Sequence, residues 1–277
     1  MSDAIQMTGP APSQRQPRSP SPWDGQFFWY ELMTTDPAAA ADFYTHVVGW
    51  AAADFGGPNS GYTVFSAGER GVAGTMALPE HVCQAGGAPF WVGYIHVADC
   101  DSVVDRIIAA GGTVHRPPAD IPEVGRFAVV ADPGGAVFQV MAPFPDDMPP
   151  PDDPDADGLV SWRELYAGNG QELAFAFYSR LFGWETLVEM PMGEMGTYRI
   201  FGRGGVQMGG LMDKPPNIPV PAWAYYFNVE AIDAAAARVT ERGGQILMGP
   251  HEVPGGSWIV QCVDPQGAHF ALVATRR

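Results

Sequence analysis

Asp132-Pro133-Gly134-Gly135-Ala136-Val137-Phe138-Gln139-Val140 reads as a turn followed by a short strand, and the chain contains the phrase twice. The second copy is Asp264-Pro265-Gln266-Gly267-Ala268-His269-Phe270-Ala271-Leu272. In each, Asp-Pro opens a turn, glycine closes it, and a short alternating run predicts a buried strand. The copies lie too far apart for a solenoid repeat, so they mark the duplication of a whole domain.

Outward from these two copies, further pairs fall into the same order. Trp29-Tyr30-Glu31-Leu32 is matched by Trp162-Arg163-Glu164-Leu165, Phe43-Tyr44 by Phe177-Tyr178, and Gly49-Trp50 by Gly183-Trp184. Trp91-x-x-Tyr94 returns as Trp223-x-x-Tyr226, and Gly111-Gly112 as Gly243-Gly244. Within the first copy the element order also repeats. A strand at Phe27–Met33 leads to a helix begun by Asp36-Pro37 and ended by Gly49, then to three strands. A strand at Phe90–Val97 leads to a helix at Asp101–Ala110, then to three more strands. The division expected is a disordered Pro/Ser-rich tail (1–26), a first domain (27–143), an Asp/Pro-rich linker (144–158) and a second domain (159–277).

Composition narrows the function classes. The 277 residues, 46% of them hydrophobic, supply a core for two domains. No apolar run approaches the roughly 18 residues of a membrane helix, and the N-terminal stretch lacks the apolar segment of a secretory signal. A formal net charge of −16 argues against nucleic acid and anionic membrane as partners. Cys83, Cys100 and Cys262, without Cys-x-x-Cys spacing, read as reduced thiols, so a cytoplasmic location is expected. Four modules in one chain leave no need for a second copy to complete a cleft, so a monomer with an internal pseudo-dimer is expected.

Asp36 through Phe43-Tyr44 to Gly49-Trp50, then Val97-Ala98-Asp99-Cys100-Asp101 and Asp132-Pro133-Gly134-Gly135, with their second copies, resemble the vicinal oxygen chelate superfamily. That superfamily includes glyoxalase I, extradiol dioxygenases, and fosfomycin- and bleomycin-resistance proteins. Within it the chain looks closest to bacterial two-domain glyoxalase-like proteins with a Trp-x-Glu-Leu opening. The resemblance implies an α+β fold in which each duplicated domain has two βαβββ modules whose curled mixed sheets surround a cleft. It also implies a place for a divalent metal, with ligands from the first strand, the first strand of the second module and the last strand.

Carried onto this chain, the first ligand position falls on Trp29 and Trp162, the second on Val92 and Ala224, and the third on Gln139 and Ala271. Only Gln139 among these can donate to a metal, so neither a metal nor another cofactor is expected in the standard place. A shifted site could use Glu31 with His96 and Gln139, or Glu164 with His269. Moving a ligand two residues along a strand displaces it by roughly 6–7 Å, so all ligands would have to shift together.

Glu31 and Glu164 are the candidate catalytic groups, either as general bases or as anions gripping a cationic or hydroxylated ligand. The competing role is structural, a carboxylate tied to backbone N–H groups where two modules meet or to an arginine, Arg126 in the first domain and Arg163 or Arg199 in the second. The candidate ligand-binding set is Trp29, Glu31, Tyr94, His96 and Gln139 in the first cleft and Trp162, Glu164, Tyr226 and His269 in the second. Further flat faces come from Tyr62, Tyr198, Trp91, Trp223 and Trp258. The Gln139/Ala271 and Arg126/Trp258 differences suggest that the first domain keeps more polar function. Two functions remain open: a metal-independent protein binding an amphipathic or cationic small molecule, or a glyoxalase-like lyase or isomerase, or a dioxygenase, using a divalent metal at a non-standard site.

Overall fold

The computed structural model describes residues 21–57, 61–144, 150 and 153–277. Most of the expected tail, and the linker residues Asp146, Asp147 and Asp152, lie outside the described residues.

In the first half, β1 (Phe27–Thr34), α1 (Pro37–Val48), β2 (Ala51–Asp54), β3 (Tyr62–Ala67) and β4 (Arg70–Ala77) form one module. The second module consists of β5 (Phe90–His96), α3 (Cys100–Ala109), β6 (Thr113–Ile121), β7 (Gly125–Ala131) and β8 (Val137–Pro143). A short helix, α2 (Glu80–Gln84), joins them; the sequence reading did not place it. The other half repeats the plan with β9 (Val160–Ala167), α4 (Gln171–Phe182), β10 (Glu185–Pro191), β11 (Thr197–Arg203) and β12 (Val206–Asp213). Its second module has β13 (Ala222–Asn228), α5 (Ile232–Glu241), β14 (Gln245–Glu252), β15 (Trp258–Val263) and β16 (His269–Ala274).

Each half builds one eight-stranded mixed sheet, ordered β2-β3-β4-β1-β5-β8-β7-β6 and β10-β11-β12-β9-β13-β16-β15-β14. The first strand of each module runs parallel to the last strand of that module, and the two modules join where β1 meets β5, or β9 meets β13, antiparallel. Sequence accounts for the element ends. Asp36 accepts the Ala39 N–H as N-cap of α1, and Gly49 and Gly183 close α1 and α4 in the left-handed conformation. Strand β6 runs on through Pro117-Pro118, beyond the expected stop near Arg116. It lies at the sheet edge, where the missing proline N–H groups leave no ladder bond unmade.

Alternation along the strands divides each sheet into two faces. Leu32, Trp91 and Ile95, with their counterparts Leu165, Trp223 and Phe227, enter one continuous core that also takes in α1, α3, α4 and α5 from both halves. Equivalent residues meet across the pseudo-twofold axis. Arg163 Nε donates to Tyr30 Oη at 2.6 Å, and Gly93 N donates to Tyr225 Oη at 2.7 Å. A Cβ on Gly93 would lie 2.7 Å from the Phe27 ring of its own half and 2.9 Å from Tyr225 of the other, so both rings together require glycine there. The opposite faces carry smaller clusters, Tyr94-Phe127-Met141 in one half and Tyr166-Met212-Ala224-Tyr226-Ala271 in the other. Cys100 and Cys262 are buried and Cys83 is exposed, all as free thiols. Among the described residues no helix is long and apolar enough to cross a membrane.

Candidate ligand-binding clefts

Strand β1 sends Trp29 and Glu31 to the cleft face, and β5 sends Tyr94 to meet them. Tyr94 Oη donates to Glu31 Oε2 at 3.0 Å, and Gln139 Nε2, from β8, reaches Glu31 Oε1 at 3.4 Å. Trp29 Nε1 donates to Tyr62 Oη at 3.0 Å, and the Tyr62 hydroxyl in turn hydrogen-bonds Glu31. Trp91-x-x-Tyr94 thus splits its aromatic rings, since residues three apart on a strand face opposite ways: Trp91 enters the core and Tyr94 the cleft.

The second half repeats this cluster with one displacement. Tyr166 Oη and Tyr226 Oη donate to Glu164 Oε2 at 2.8 and 2.7 Å, and Trp162 Nε1 donates to Tyr198 Oη at 2.9 Å. Ala271 occupies the place of Gln139, but Gln261 on the neighbouring strand is its cross-strand partner. Gln261 Nε2 donates to Tyr166 Oη at 2.9 Å and Tyr226 Oη at 3.0 Å. The amide has moved one strand sideways. The second cleft is therefore no poorer in polar groups than the first, which corrects the sequence expectation.

The arginines do not serve the glutamates. Arg126 binds Asp101 through Nε–Oδ2 at 2.5 Å and Asp120 at 3.1 Å, while Arg199 pairs with Glu172 and Glu189. Arg163 goes to Tyr30. Alternation is the reason. Phe127 and Glu164 face the clefts, so their neighbours Arg126 and Arg163 face away. Phenols satisfy the carboxylates instead.

Glycines make room for those phenols. Glu31 pairs in register with Gly74 of β4, and Glu164 with Gly210 of β12. Tyr62 and Tyr198 lie across these positions; a Cβ there would fall 2.1 and 2.0 Å from their hydroxyl oxygens. Gly210→Ala must drive Tyr198 off Glu164 and Trp162. It is expected to cost about 1–3 kcal/mol of stability, and Gly74→Ala the same, read as a lowered urea midpoint.

Glu31 is 5% exposed and Glu164 8%. Burial raises the Glu31 pKa, against the opposing hydrogen bonds from Tyr94, Gln139 and Tyr62, and burial raises the pKa of Tyr62, Tyr94, Tyr166, Tyr198 and Tyr226. These phenols therefore stay protonated as donors. Because the folded-state pKa of Glu31 lies above its unfolded value, its contribution to stability is complete below the unfolded pKa of about 4.3 and is lost as pH rises through the folded pKa. Glu31→Gln, neutral at every pH, should gain stability relative to the native chain as pH rises through that window. Urea midpoints of both proteins across a pH series check this; a constant difference would contradict it.

Of the other candidates, His96 Nδ1 lies 2.9 Å from Asp24 Oδ1, tying the start of the described chain to the end of β5. His269 opens β16, and burial lowers its pKa, favouring the neutral imidazole. The structure thus unites Trp29, Glu31, Tyr94 and Gln139 in one cluster, and Trp162, Glu164 and Tyr226 in the other. Sequence reasoning missed Tyr166, Gln261, Gly74 and Gly210. Tyr166 was legible, two residues beyond Glu164 on the same strand face, whereas Gln261 needed the strand register.

These donors do not fit a divalent ion. Among the described residues no three His, Cys, Asp or Glu side chains converge as a metal requires. Each cluster offers one carboxylate already engaged by phenols. The buried Gln139 Oε1, which has no hydrogen-bond partner, is a single neutral donor. Trp29 and Trp162 direct N–H groups toward tyrosine oxygens, and an indole N–H cannot ligate.

A cavity of about 1140 Å³ opens at the second cluster. Glu164, Tyr166, Tyr226 and Gln261 form its polar patch, and Trp162, Tyr198, Ile218 and several methionines its apolar walls. Trp23, Phe28 and Arg70 from the first half also line it.

The profile of the Glyoxalase/Bleomycin resistance protein/Dioxygenase superfamily matches residues 26–140 and 165–272, one segment per half. The chain belongs to this superfamily. Its relatives include the Mycobacterium tuberculosis protein named "Putative glyoxylase CFP32", 33% identical over 88% of this chain and 93% of that one. The anthracycline biosynthesis protein DnrV of Streptomyces peucetius is also 33% identical, over 90% and 92%. Among solved structures, the Mn(II)-bound glyoxalase of Novosphingobium aromaticivorans shares the fold with a TM-score of 0.63 at 18% identity, covering 92% of this chain and 83% of that one. The 2,3-dioxygenase LapB of Pseudomonas sp. KL28 does so at 0.61 and 13%, covering 90% and 91%.

Proposed function

We propose that this superfamily member binds a small amphipathic molecule in the second cleft without a metal, its cationic or hydroxylated end held by Glu164. The observation carrying this reading is a buried carboxylate, oriented by two phenols, that lines a mainly apolar cavity. Desolvated charge of this kind costs free energy unless the ligand or the protein answers it. The cavity is large enough for a drug-sized molecule, since ligand pockets commonly span about 300–1,000 Å³. A relative named for anthracycline biosynthesis is consistent with a ligand that joins an apolar body to polar groups.

The test is calorimetric titration of full-length protein, before and after EDTA treatment, with an arylalkylammonium probe and with catechol, together with elemental analysis. Saturable ammonium binding that survives chelation is the expected result. Stoichiometric Mn, Fe or Zn whose removal abolishes binding, or metal-supported turnover of catechol or a hemithioacetal, would replace this reading with the lyase or dioxygenase alternative.

A further inference from the structure

Half of the twelve methionines in the chain line the second cleft: Met190, Met192, Met195, Met208, Met212 and Met248. Core packing accounts for Met208 and Met212, which are buried, but not for Met192, Met195 and Met248, which are 39%, 56% and 39% exposed. Met190 comes from β10, Met192 and Met195 from the short turn that joins it to β11, Met208 and Met212 from β12, and Met248 from β14, so separate elements converge on one cavity. The first half lacks this construction. Its β2 is a four-residue strand, Ala51-Ala52-Ala53-Asp54, where β10 has seven residues, and Val72 stands where Met208 does.

Thioether sulfur is polarisable, makes favourable contacts with aromatic ring edges, and sits on a flexible side chain that conforms to a flat surface. Trp162 and Tyr198, whose rings are coupled by a hydrogen bond, line the same cavity, and Tyr198 pairs in register with Met190. A cavity lined by both thioether sulfur and aromatic rings favours planar, polarisable ligands over saturated ones of equal bulk.

We infer that the ligand class of the second cleft is a planar polycyclic aromatic carrying an amine, its rings lying against the methionine wall and its ammonium directed toward Glu164. This inference rests on the proposed binding function and specifies its ligand. The experiment uses full-length protein and two probes, 9-anthracenylmethylammonium and its fully hydrogenated analogue, titrated by calorimetry. A triple variant, Met192→Leu, Met195→Leu and Met248→Leu, keeps the apolar bulk and removes the sulfur at exposed positions; its thermal midpoint verifies folding.

The anthracenyl amine should bind about tenfold more tightly than the saturated amine, and the triple variant should lose about threefold to tenfold toward the former and markedly less toward the latter, so that the gap between them narrows. Equal binding of both amines, or unchanged anthracenyl affinity in the triple variant, would overturn the ligand class and leave the cleft as a binding site. Failure of both amines to bind the native protein would overturn the binding reading itself.

Discussion

Asp132→Ala is expected to lower the unfolding free energy by about 3–5 kcal/mol, because it strands several buried donors at once. Asp132 Oδ1 accepts the N–H groups of Gly134 at 2.8 Å and Ala136 at 3.0 Å, while Oδ2 accepts Tyr178 Oη, from α4 of the other half, at 3.1 Å. Trp223 Nε1 then donates to Tyr178 Oη at 3.1 Å. Asp264 repeats the arrangement with Gln266 N, Ala268 N and Tyr44 Oη of α1, and Trp91 Nε1 donates to that tyrosine. Each turn thus holds its own shape with one oxygen and the opposite half with the other.

Burial raises the pKa of both aspartates while their hydrogen bonds oppose the shift. Asp132→Asn keeps an acceptor and should cost less than the alanine variant. Tyr178→Phe removes one bond, at about 1 kcal/mol. Since one core spans both halves, denaturant should unfold the described domains in a single transition, shifted as a whole by Asp132→Ala. A biphasic curve in the native protein, with only one phase displaced by the substitution, would contradict the reciprocal tie.

Glu164→Ala should weaken binding of the arylalkylammonium probe by about 2–4 kcal/mol, or roughly 30-fold to 1,000-fold. The carboxylate is the anion of the polar patch around which Tyr166, Tyr226 and Gln261 are arranged, so its loss removes the counter-charge and leaves phenol donors without their acceptor. Glu164→Gln, which retains shape and an acceptor oxygen, separates the two effects. It should lose most of the affinity for a cation and much less for a neutral hydroxylated analogue. Calorimetry with both ligands reads the difference; equal affinity of native and Glu164→Ala protein for the ammonium probe would remove Glu164 from the site. Gly210→Ala, which displaces Tyr198 from this cluster, should weaken the same binding without changing the charge.

Duplication, module order and the location of Glu31 and Glu164 on matched strands were legible in the residues. Period-two alternation, glycine stops and Asp-Pro turns are local properties, and each occurs twice. That Trp29 and Trp162 stand where a metal ligand is usual is what the family resemblance implies. What the glutamates bind was not legible. Arginine was the reasonable partner by charge, but whether a side chain points into a cleft depends on its strand face, which places Tyr94 beside Glu31 and turns Arg126 away.

The sequence by itself determined the duplicated α+β architecture and the order of its modules, because those follow from residue type and spacing along the chain. Only the tertiary structure decided that Phe-Tyr of one half bonds the Asp-Pro turn of the other, that Gln261 replaces Gln139 from an adjacent strand, and that six methionines surround one cleft. These contacts join residues up to 220 positions apart, and strand register, which no local pattern encodes, sets which of them meet.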